Sequence, residues 1–292
     1  MFKNPVLNAI SRKSSTQLKQ ISRYFYAVAA QPNDYLKYPP ILCNSVPKSG
    51  THLLLQILAA FPNIKNFGIF IASFGSPLTF RAVPIIKIQQ KLDKFLPGEI
   101  ATAHLFYNSS YSEILSIKNV AHYFIYRDPR DVAVSEAYDI TYRSRWHRLH
   151  NYFKSLPTME ERISFSIKGA LDSNFPYDFP NIAQRFQVYQ PWLQDKNVFS
   201  VRFEDLVSAN RESIIEQMVK FYLAKTTQQF DLPIAVNLAL SAIDPQKSHT
   251  FREGQVGGWQ GQLSQQQKVD CMEVAGDLLI ELGYESEKNW LN

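Results

Sequence analysis

Residues 46–52 read V-P-K-S-G-T-H and lie between two contrasting patterns. The apolar run 41–46 before them is typical of a buried strand, and the apolar spacing of 52–61 is typical of a helix. A strand that turns tightly into a helix leaves several backbone N–H groups pointing in one direction, and the helix dipole adds positive potential there. The segment therefore predicts a loop that binds a phosphate or sulfate group.

The side chains of this loop suit the same chemistry. Gly50 lets a ligand approach the backbone closely, and the hydroxyls of Ser49 and Thr51 are further donors. Lys48 adds a full positive charge, and His52 begins the helical pattern. In a Walker A loop the lysine follows the second of two glycines, whereas here it precedes a single one. The alternative is an ordinary turn with a solvated lysine.

Residues 126–135, Y-R-D-P-R-D-V-A-V-S, again cross from a predicted strand into a predicted helix. Arg127 stands at the carboxyl end of the strand, where open α/β sheets bind their ligands. Ser135 lies one turn into the helix. An arginine fork and a serine hydroxyl can together hold a phosphate. The alternative is a surface network of arginine and aspartate that caps the helix.

A third segment, residues 251–259, reads F-R-E-G-Q-V-G-G-W and places three glycines within five residues. Arg252, Glu253 and Gly254 begin it. The backbone N–H groups of a flexible loop beside an arginine can close over an anion. A simple surface turn is the alternative.

Strand-like and helix-like patterns alternate from residue 40 onward. Strands are predicted at 41–46, 100–105, 120–126 and 198–203, and helices at 52–61, from 131, at 212–223 and at 265–282. This alternation predicts an α/β fold: a single domain with a central parallel β-sheet flanked by helices and a P-loop-like loop at 46–52. We expect residues 38–292 to form this domain and residues 1–37 to form a basic, helical N-terminal extension.

The net charge of +5 is concentrated at the N-terminus. Residues 1–30 contain no acidic residue and five basic ones, Lys3, Arg12, Lys13, Lys19 and Arg23. The other 262 residues are therefore neutral, which argues against nucleic acid as a partner because that would require a basic surface on the body. An anion site in the body must be built from a few directed groups.

The N-terminal segment has apolar residues three and four positions apart, which is typical of one face of a helix. They are Leu7, Ile10, Leu18, Ile21, Phe25 and Val28. The segment either packs on the body, or serves as a targeting peptide or a helix in contact with a membrane surface. The two cysteines exclude a disulfide framework and fit a reducing compartment such as the cytoplasm. The longest uncharged, apolar stretch, about 49–64, contains His52, Gln56 and Pro62, whereas a spanning helix needs roughly 18 or more apolar residues.

Together the three segments resemble the sulfotransferases that use 3′-phosphoadenylyl sulfate (PAPS). P-K-S-G-T at 47–51 is similar to the loop that binds the 5′-phosphosulfate in that family. Arg127 and Ser135, eight residues apart, match its 3′-phosphate site, and 252–259 is similar to its late R-K-G-x-x-G-D-W loop. The motifs occur in the family's order from about residue 38 to the C-terminus.

The resemblance implies transfer of a sulfuryl group from PAPS to a hydroxyl or amine, without a metal. A-T-A-H-L at 101–105 resembles the family's T-H-L element, which makes His104 the expected base. An ordinary histidine pKa near 6.5 would suit that role at neutral pH. Lys48 is expected to stabilise the charge on the departing phosphate, and His52 and Phe203 to lie in the cofactor site.

The chain also departs from the family pattern. Thr-Trp, common after the PKSGT core, is replaced by His52 and Leu53, so the usual stacking tryptophan is missing. The family's Tyr-Glu-Asp element reads Phe203-Glu204-Asp205, and the late loop has Gly258 where relatives have aspartate. The short C-terminal dimer motif of cytosolic relatives is absent, which leaves the oligomeric state open.

The acceptor site is expected in the variable segments 67–95 and 138–186, together with Tyr107. Their aromatic residues include Phe70, Phe74, Phe80, Tyr138, Tyr142, Trp146 and Phe153. This supply favours a small, largely apolar acceptor. A carbohydrate or glycolipid acceptor is the alternative, since 143–154 contains a small basic run. A nucleotide-binding phosphotransferase is a weaker alternative, because neither a Walker A loop nor a magnesium-binding aspartate is evident.

Overall fold

In the computed structural model of the chain, the structure describes residues 5–170, 175–244, 246, 256–287 and 290–291, with the backbone alone for residues 5–16. It contains five strands: β1 (Ile41–Ser45), β2 (Lys65–Ala72), β3 (Glu99–His104), β4 (Ala121–Tyr126) and β5 (Val198–Arg202). They form one parallel sheet in the order β2-β3-β1-β4-β5. The predicted α/β class with a central parallel sheet is confirmed.

Helices connect and cover these strands. The first seven are α1 (Pro5–Ala29), α2 (Asp34–Lys37), α3 (Thr51–Ala59), α4 (Ile85–Asp93), α5 (Ser109–Ile117), α6 (Pro129–Tyr142) and α7 (His150–Ser155). The next six are α8 (Met159–Lys168), α9 (Ile182–Gln187), α10 (Phe203–Val207), α11 (Arg211–Leu223), α12 (Leu232–Ser241) and α13 (Gln265–Glu281). Short 3₁₀ turns are formed by Gln190–Gln194 and by Gly258–Gly261.

Burial on both faces of the sheet explains why the strand sequences are continuous apolar runs. Every residue of β1 is buried, because α3, α11 and α12 pack on one face of the sheet while α4, α5 and α9 cover the other. A third apolar cluster joins α6, α8 and α13 beside the sheet.

The parallel order brings several strand ends to one edge. β1 lies between β3 and β4, with Cys43 opposite both Thr102 and Tyr123. The carboxyl ends of these strands, Ser45, His104 and Tyr126, are therefore neighbours. The chain crosses from one half of the sheet to the other between β3 and β4, and such a crossing point is where open α/β sheets bind ligands.

β2 lies outside the predicted strands. It is an edge strand whose pairing with β3 shifts register between Lys65 and Ile69, and Gly68 has φ +77°. The bulge interrupts the alternation on which a strand prediction depends. The predicted strands at 41–46, 100–105, 120–126 and 198–203 each match an observed strand to within one residue at each end.

Candidate active site

The loop between β1 and α3 has an unusual backbone. Lys48 and Gly50 both have positive φ, +69° and +98°. Gly50 is the N-cap residue of α3 and provides no side-chain cap. A Cβ at Gly50 would lie 2.5 Å from the Cδ2 atom of Phe203, so only glycine lets the loop pack on that ring. The start of α3, which was predicted to bind an anion, therefore has no side-chain cap. It lies at the edge of the sheet where the carboxyl ends of the strands meet.

The hydroxyl of Ser49 lies within this loop. The residue is buried, and its Oγ has no hydrogen-bond partner among the described residues. A buried hydroxyl without a partner costs about 1–3 kcal/mol. A phosphate or sulfuryl oxygen in the loop would satisfy it, so the loop fits the anionic end of PAPS.

Lys48 bonds to a carboxylate on the neighbouring helix. Its Nζ lies 2.9 Å from the Oδ1 of Asp139 in α6, and both side chains are largely buried. Burial raises the pKa of Asp139, but Lys48, its hydrogen bond and the Ser144 hydroxyl outweigh that effect, so the pKa lies below its ordinary value. Asp139 was not predicted as part of the site, and it is the present partner of the residue expected to contact the phosphate.

His104, the last residue of β3, is oriented by the end of β1. Its Nδ1 lies 3.0 Å from the carbonyl oxygen of Ser45. A carbonyl can only accept, so this contact is a hydrogen bond in the tautomer that carries the proton on Nδ1, which leaves the lone pair on Nε2. The same Nδ1 lies 3.1 Å from the Ser45 hydroxyl, which is 2.6 Å from the hydroxyl of Thr51. Ser45 thus joins the predicted base to residues 46–52, the anion loop.

Burial changes the acidity of this histidine. Loss of hydration lowers the pKa of His104 to about 4; the bond to the Ser45 carbonyl opposes that shift, and Lys48 and His52 add to it. The expectation of an ordinary pKa near 6.5 was wrong, since it left out burial. The imidazole is therefore neutral at physiological pH, as a base must be.

Asn44 holds the two strand ends together. Its buried side-chain amide accepts hydrogen bonds from the N–H groups of Leu105 and Ser45 at 2.9 and 3.0 Å and donates to the Leu105 carbonyl at 3.3 Å. This clamp fixes β3 beside β1 at the point where His104 leaves the sheet. Sequence reasoning missed Asn44, although an amide inside an otherwise apolar strand is a signal of a required hydrogen bond.

Arg127 follows β4 and is held by Asp131. The guanidinium Nη2 lies 3.1 Å from the Asp131 carboxylate. The same carboxylate accepts hydrogen bonds from the N–H groups of Gly257 and Trp259 at 3.1 and 2.9 Å. Burial raises the pKa of Asp131, an effect that Arg127 partly offsets. The Asp131 carboxylate therefore connects the 126–135 segment with the glycine-containing segment 251–259.

Phe203 lies between the first two segments. The Arg127 guanidinium lies over its ring at 4.6 Å, and Gly50 packs against the ring edge. The ring is buried, so it forms the wall between these segments. Ser135 is half-buried on α6, one turn before Asp139, and His52 is exposed on the first turn of α3.

Further charged pairs lie at the start of α6. Asp128 caps α6 by accepting from the Arg130 N–H at 2.9 Å, so the start of α6 is closed by a side chain. Arg130 also bonds to Glu285 and lies 3.8 Å over the Trp259 ring. The predicted cofactor residues Arg252, Glu253 and Gly254 lie outside the described residues.

The expected acceptor aromatics lie in three different surroundings. Phe70 lies against the His104 ring with centroids 5.4 Å apart and is half exposed. Phe80 stacks on Phe74 at 4.8 Å. Phe153, in contrast, is fully buried in the core beside α8, so its side chain does not face an acceptor site. Tyr142 and Trp146 are exposed on the surface.

Within the described part of the chain, no group of three or more histidine, cysteine, aspartate or glutamate side chains is placed to hold a metal ion. Among the same residues, no helix is both long and apolar enough to cross a membrane.

The chain is similar to known proteins in its sequence family and in its fold. The sulfotransferase domain family matches residues 39–283. The fold is similar to that of mouse sulfotransferase SULT7A1 complexed with PAP, at 20% identity, with 84% of this chain and 87% of that one covered and a TM-score of 0.56. It is also similar to retinol dehydratase in complex with androsterone and the inactive cofactor PAP, at 14% identity, 85% and 83% coverage and a TM-score of 0.52. No curated protein sequence matches the chain.

A parallel sheet with a loop and helix start after β1 and an arginine after β4 has the arrangement of α/β proteins that bind ligands at the carboxyl ends of their strands. The family match covers most of the chain, and the chain belongs to the sulfotransferase domain family. The resemblance inferred from the sequence is confirmed. Membership supports sulfuryl transfer as the general activity.

Proposed function

We propose that the chain transfers the sulfuryl group of PAPS to the hydroxyl, or amine, of a small and largely apolar acceptor. The observation that carries the proposal is the orientation of His104. Its Nδ1 donates to the Ser45 carbonyl, which leaves the Nε2 lone pair available. Through the Ser45 hydroxyl this base is tied to Thr51 of the anion loop. A base fixed to the donor loop supports in-line group transfer.

The donor site is built from the three segments. The loop residues Lys48, Ser49, Gly50, Thr51 and His52 would hold the phosphosulfate at the start of α3. Arg127 and Ser135 would hold the 3′-phosphate, and Phe203 would contact the adenine. Arg252, Glu253 and Gly254 are proposed for the same cofactor. Both solved relatives described above contain PAP, the product that PAPS leaves after transfer.

PAPS supplies a sulfuryl group joined through a bridging oxygen to a phosphate that is a good leaving group. The acceptor oxygen forms a bond to sulfur while the bond from sulfur to the bridging oxygen breaks. Nε2 of His104 takes the acceptor proton, and Lys48 stabilises the charge that develops on the bridging oxygen. Lys48 must exchange Asp139 for the phosphate to do so, since it now lies 2.9 Å from that carboxylate.

The surroundings of His104 favour an apolar acceptor over a carbohydrate. Phe70, on β2, faces the imidazole, and the stacked pair of Phe74 and Phe80 lies on the connection that follows β2. Arg148, from the basic run that suggested a polysaccharide, lies over the Phe80 ring at 4.6 Å and donates to the Asp178 carbonyl. Engaged in this way, it does not form part of an open basic cleft. Retinol dehydratase, which has a similar fold, was solved with the apolar molecules androsterone and retinol.

Two measurements test the function. PAP should raise the melting temperature of the protein more than ATP with magnesium does, whereas a preference for ATP would point to the phosphotransferase. Incubation with ³⁵S-labelled PAPS and a panel containing 2-naphthol, 1-octanol, an aromatic amine and an oligosaccharide should then label the alcohols. Labelling of the oligosaccharide alone would establish the carbohydrate alternative. Placement in the cytoplasm and the absence of a nucleic-acid partner stay predictions.

A further inference from the structure

Helix α1 lies on the body with its polar side inward. The guanidinium of Arg23 pairs with the fully buried carboxylate of Glu99 at 2.6 Å. The Gln20 amide donates to the Phe67 carbonyl at 3.2 Å, and the Tyr26 hydroxyl donates to the Pro97 carbonyl at 3.0 Å. Polar bonds to the body therefore fix the second half of the helix beside β2.

The opposite side of α1 is apolar and faces solvent. Leu18, Ile21, Phe25 and Val28 are each between 55% and 71% exposed. Their spacing of three and four residues makes them one stripe, about half a turn away from Gln20, Arg23 and Tyr26. An ordinary surface helix has the reverse arrangement, with its apolar side toward the core. The outward stripe is thus unexplained by the fold of the described residues.

The charge around the stripe indicates what covers it. Arg23 is neutralised by Glu99. The sequence of residues 1–30 contains four further basic residues, Lys3, Arg12, Lys13 and Lys19, and no acid. A second copy of the chain would bring two such basic segments together. An anionic lipid surface would instead attract the basic residues while its acyl region accepts the apolar ones.

We propose that α1 is a membrane-surface helix that attaches the protein to anionic lipid bilayers through Leu18, Ile21, Phe25 and Val28. The helix lies in the plane of the interface, and the bonds of Gln20, Arg23 and Tyr26 keep the body attached to it. This attachment does not involve the donor site, so it stands independently of the proposed reaction.

Flotation with lipid vesicles tests the proposal on the full chain. The protein should float with vesicles of phosphatidylcholine and phosphatidylglycerol, and much less with phosphatidylcholine alone. Raised salt should weaken the binding, because the basic residues contribute through screened charges. Ile21→Gln together with Phe25→Gln should lower vesicle binding by about ten-fold or more.

The chain offers a matched control on another helix. Ile234 and Leu238 of α12 are also four residues apart and at least half exposed. Ile234→Gln with Leu238→Gln should leave vesicle binding unchanged, and both double variants should keep the circular dichroism spectrum and cooperative melting of the unchanged protein, which shows that they are folded. Equal flotation with neutral and anionic vesicles would overturn the proposal. So would a concentration-dependent dimer, measured by light scattering, that only the α1 variant loses.

Discussion

The ammonium group of Lys48 lies 2.9 Å from the carboxylate of Asp139, so the loop lysine already has an anionic partner within the protein. Any phosphate that enters the loop competes with Asp139 for this charge. We therefore expect Asp139 to lower the affinity for the proposed donor without touching the donor itself.

Removal of the competing carboxylate should tighten donor binding. We expect Asp139→Asn to raise the affinity for PAP by about three- to ten-fold in calorimetric titrations, the size expected from an ion pair worth about 1 kcal/mol. The asparagine can still accept from the Ser144 hydroxyl, which limits structural change. Asp93→Asn, which removes an exposed charge elsewhere, is the control and should leave the affinity unchanged. Weaker binding by Asp139→Asn would show that Asp139 assists the lysine instead.

The hydroxyl of Ser49 should have opposite effects on stability and binding. Ser49→Ala removes a buried group without a partner, so the free energy of unfolding should rise by about 1 kcal/mol in urea. The affinity for PAP should fall by about ten-fold, because the loop loses a donor. Ser200 also has a buried hydroxyl without a partner, but on β5. Ser200→Ala should therefore gain stability and bind PAP normally. Loss of PAP binding in both variants would show that the Ser49 hydroxyl has no specific role in binding.

Arg127 should recognise one phosphate of the nucleotide. Arg127→Ala should lower the affinity for PAP by about ten- to a hundred-fold, the range for loss of a charge-assisted hydrogen bond. The affinity for adenosine 5′-phosphate, which lacks the 3′-phosphate, should change little. Asp131→Asn should cause a smaller loss of the same selectivity, since Asp131 acts by holding Arg127. Arg211→Ala, which removes an exposed charge, serves as the control; equal losses for both nucleotides would place Arg127 elsewhere in the site.

The imidazole of His104 should stay neutral through the physiological range. Its pKa of about 4 lies below the ordinary value of about 6.5, so the folded protein resists protonation while the unfolded chain accepts a proton first. This histidine therefore contributes stability that is present above about pH 6.5 and is lost as the pH falls toward 4. Imidazole NMR signals of the free enzyme, assigned with His104→Gln, should show no titration between pH 7.5 and 5. A midpoint near 6.5 would mean that water reaches the ring.

The left-handed backbone at Lys48 should cost stability. A side chain at φ +69° is strained by about 1 kcal/mol relative to glycine. Lys48→Ala and Lys48→Gly both remove the charge and the Asp139 contact, so their difference isolates the backbone. We expect Lys48→Gly to be the more stable of the two by about 1 kcal/mol in urea unfolding, with transfer nearly abolished in both. Identical midpoints would indicate that the loop relaxes when the lysine is lost.

Strand-to-helix transitions are the part of the fold that the sequence predicted well. Val46, Pro47 and Pro129 mark abrupt changes from apolar runs to helical spacing, and β1, β4, α3 and α6 follow as expected. β2 was not predicted, because its bulge and Gly68 break the alternation of apolar and polar residues. Several helices were also not predicted, among them α4, α5, α8 and α12. Of these, α12 has a proline as its second residue and is apolar through most of its length, so its spacing gives little contrast between faces.

The site was predictable only where a local pattern carries it. Lys48, Ser49 and Arg127 stand in recognisable segments, and His104 ends a strand. Asp139 and Asp131 were not identified, because their importance comes from partners that the fold brings near. Gly257 is 126 residues from Asp131, yet its N–H donates to that carboxylate. The low pKa of His104 likewise depends on burial, which no single residue type reveals.

The unpartnered hydroxyl of Ser49 has a consequence for how this chain would respond to selection. A screen for heat resistance alone would reward alanine at position 49, since that change removes a buried donor without a partner. The change would be recorded as an improvement while the affinity for the nucleotide fell. In this loop, thermal tolerance and turnover are opposing objectives, and a library that varies it must be sorted on activity first.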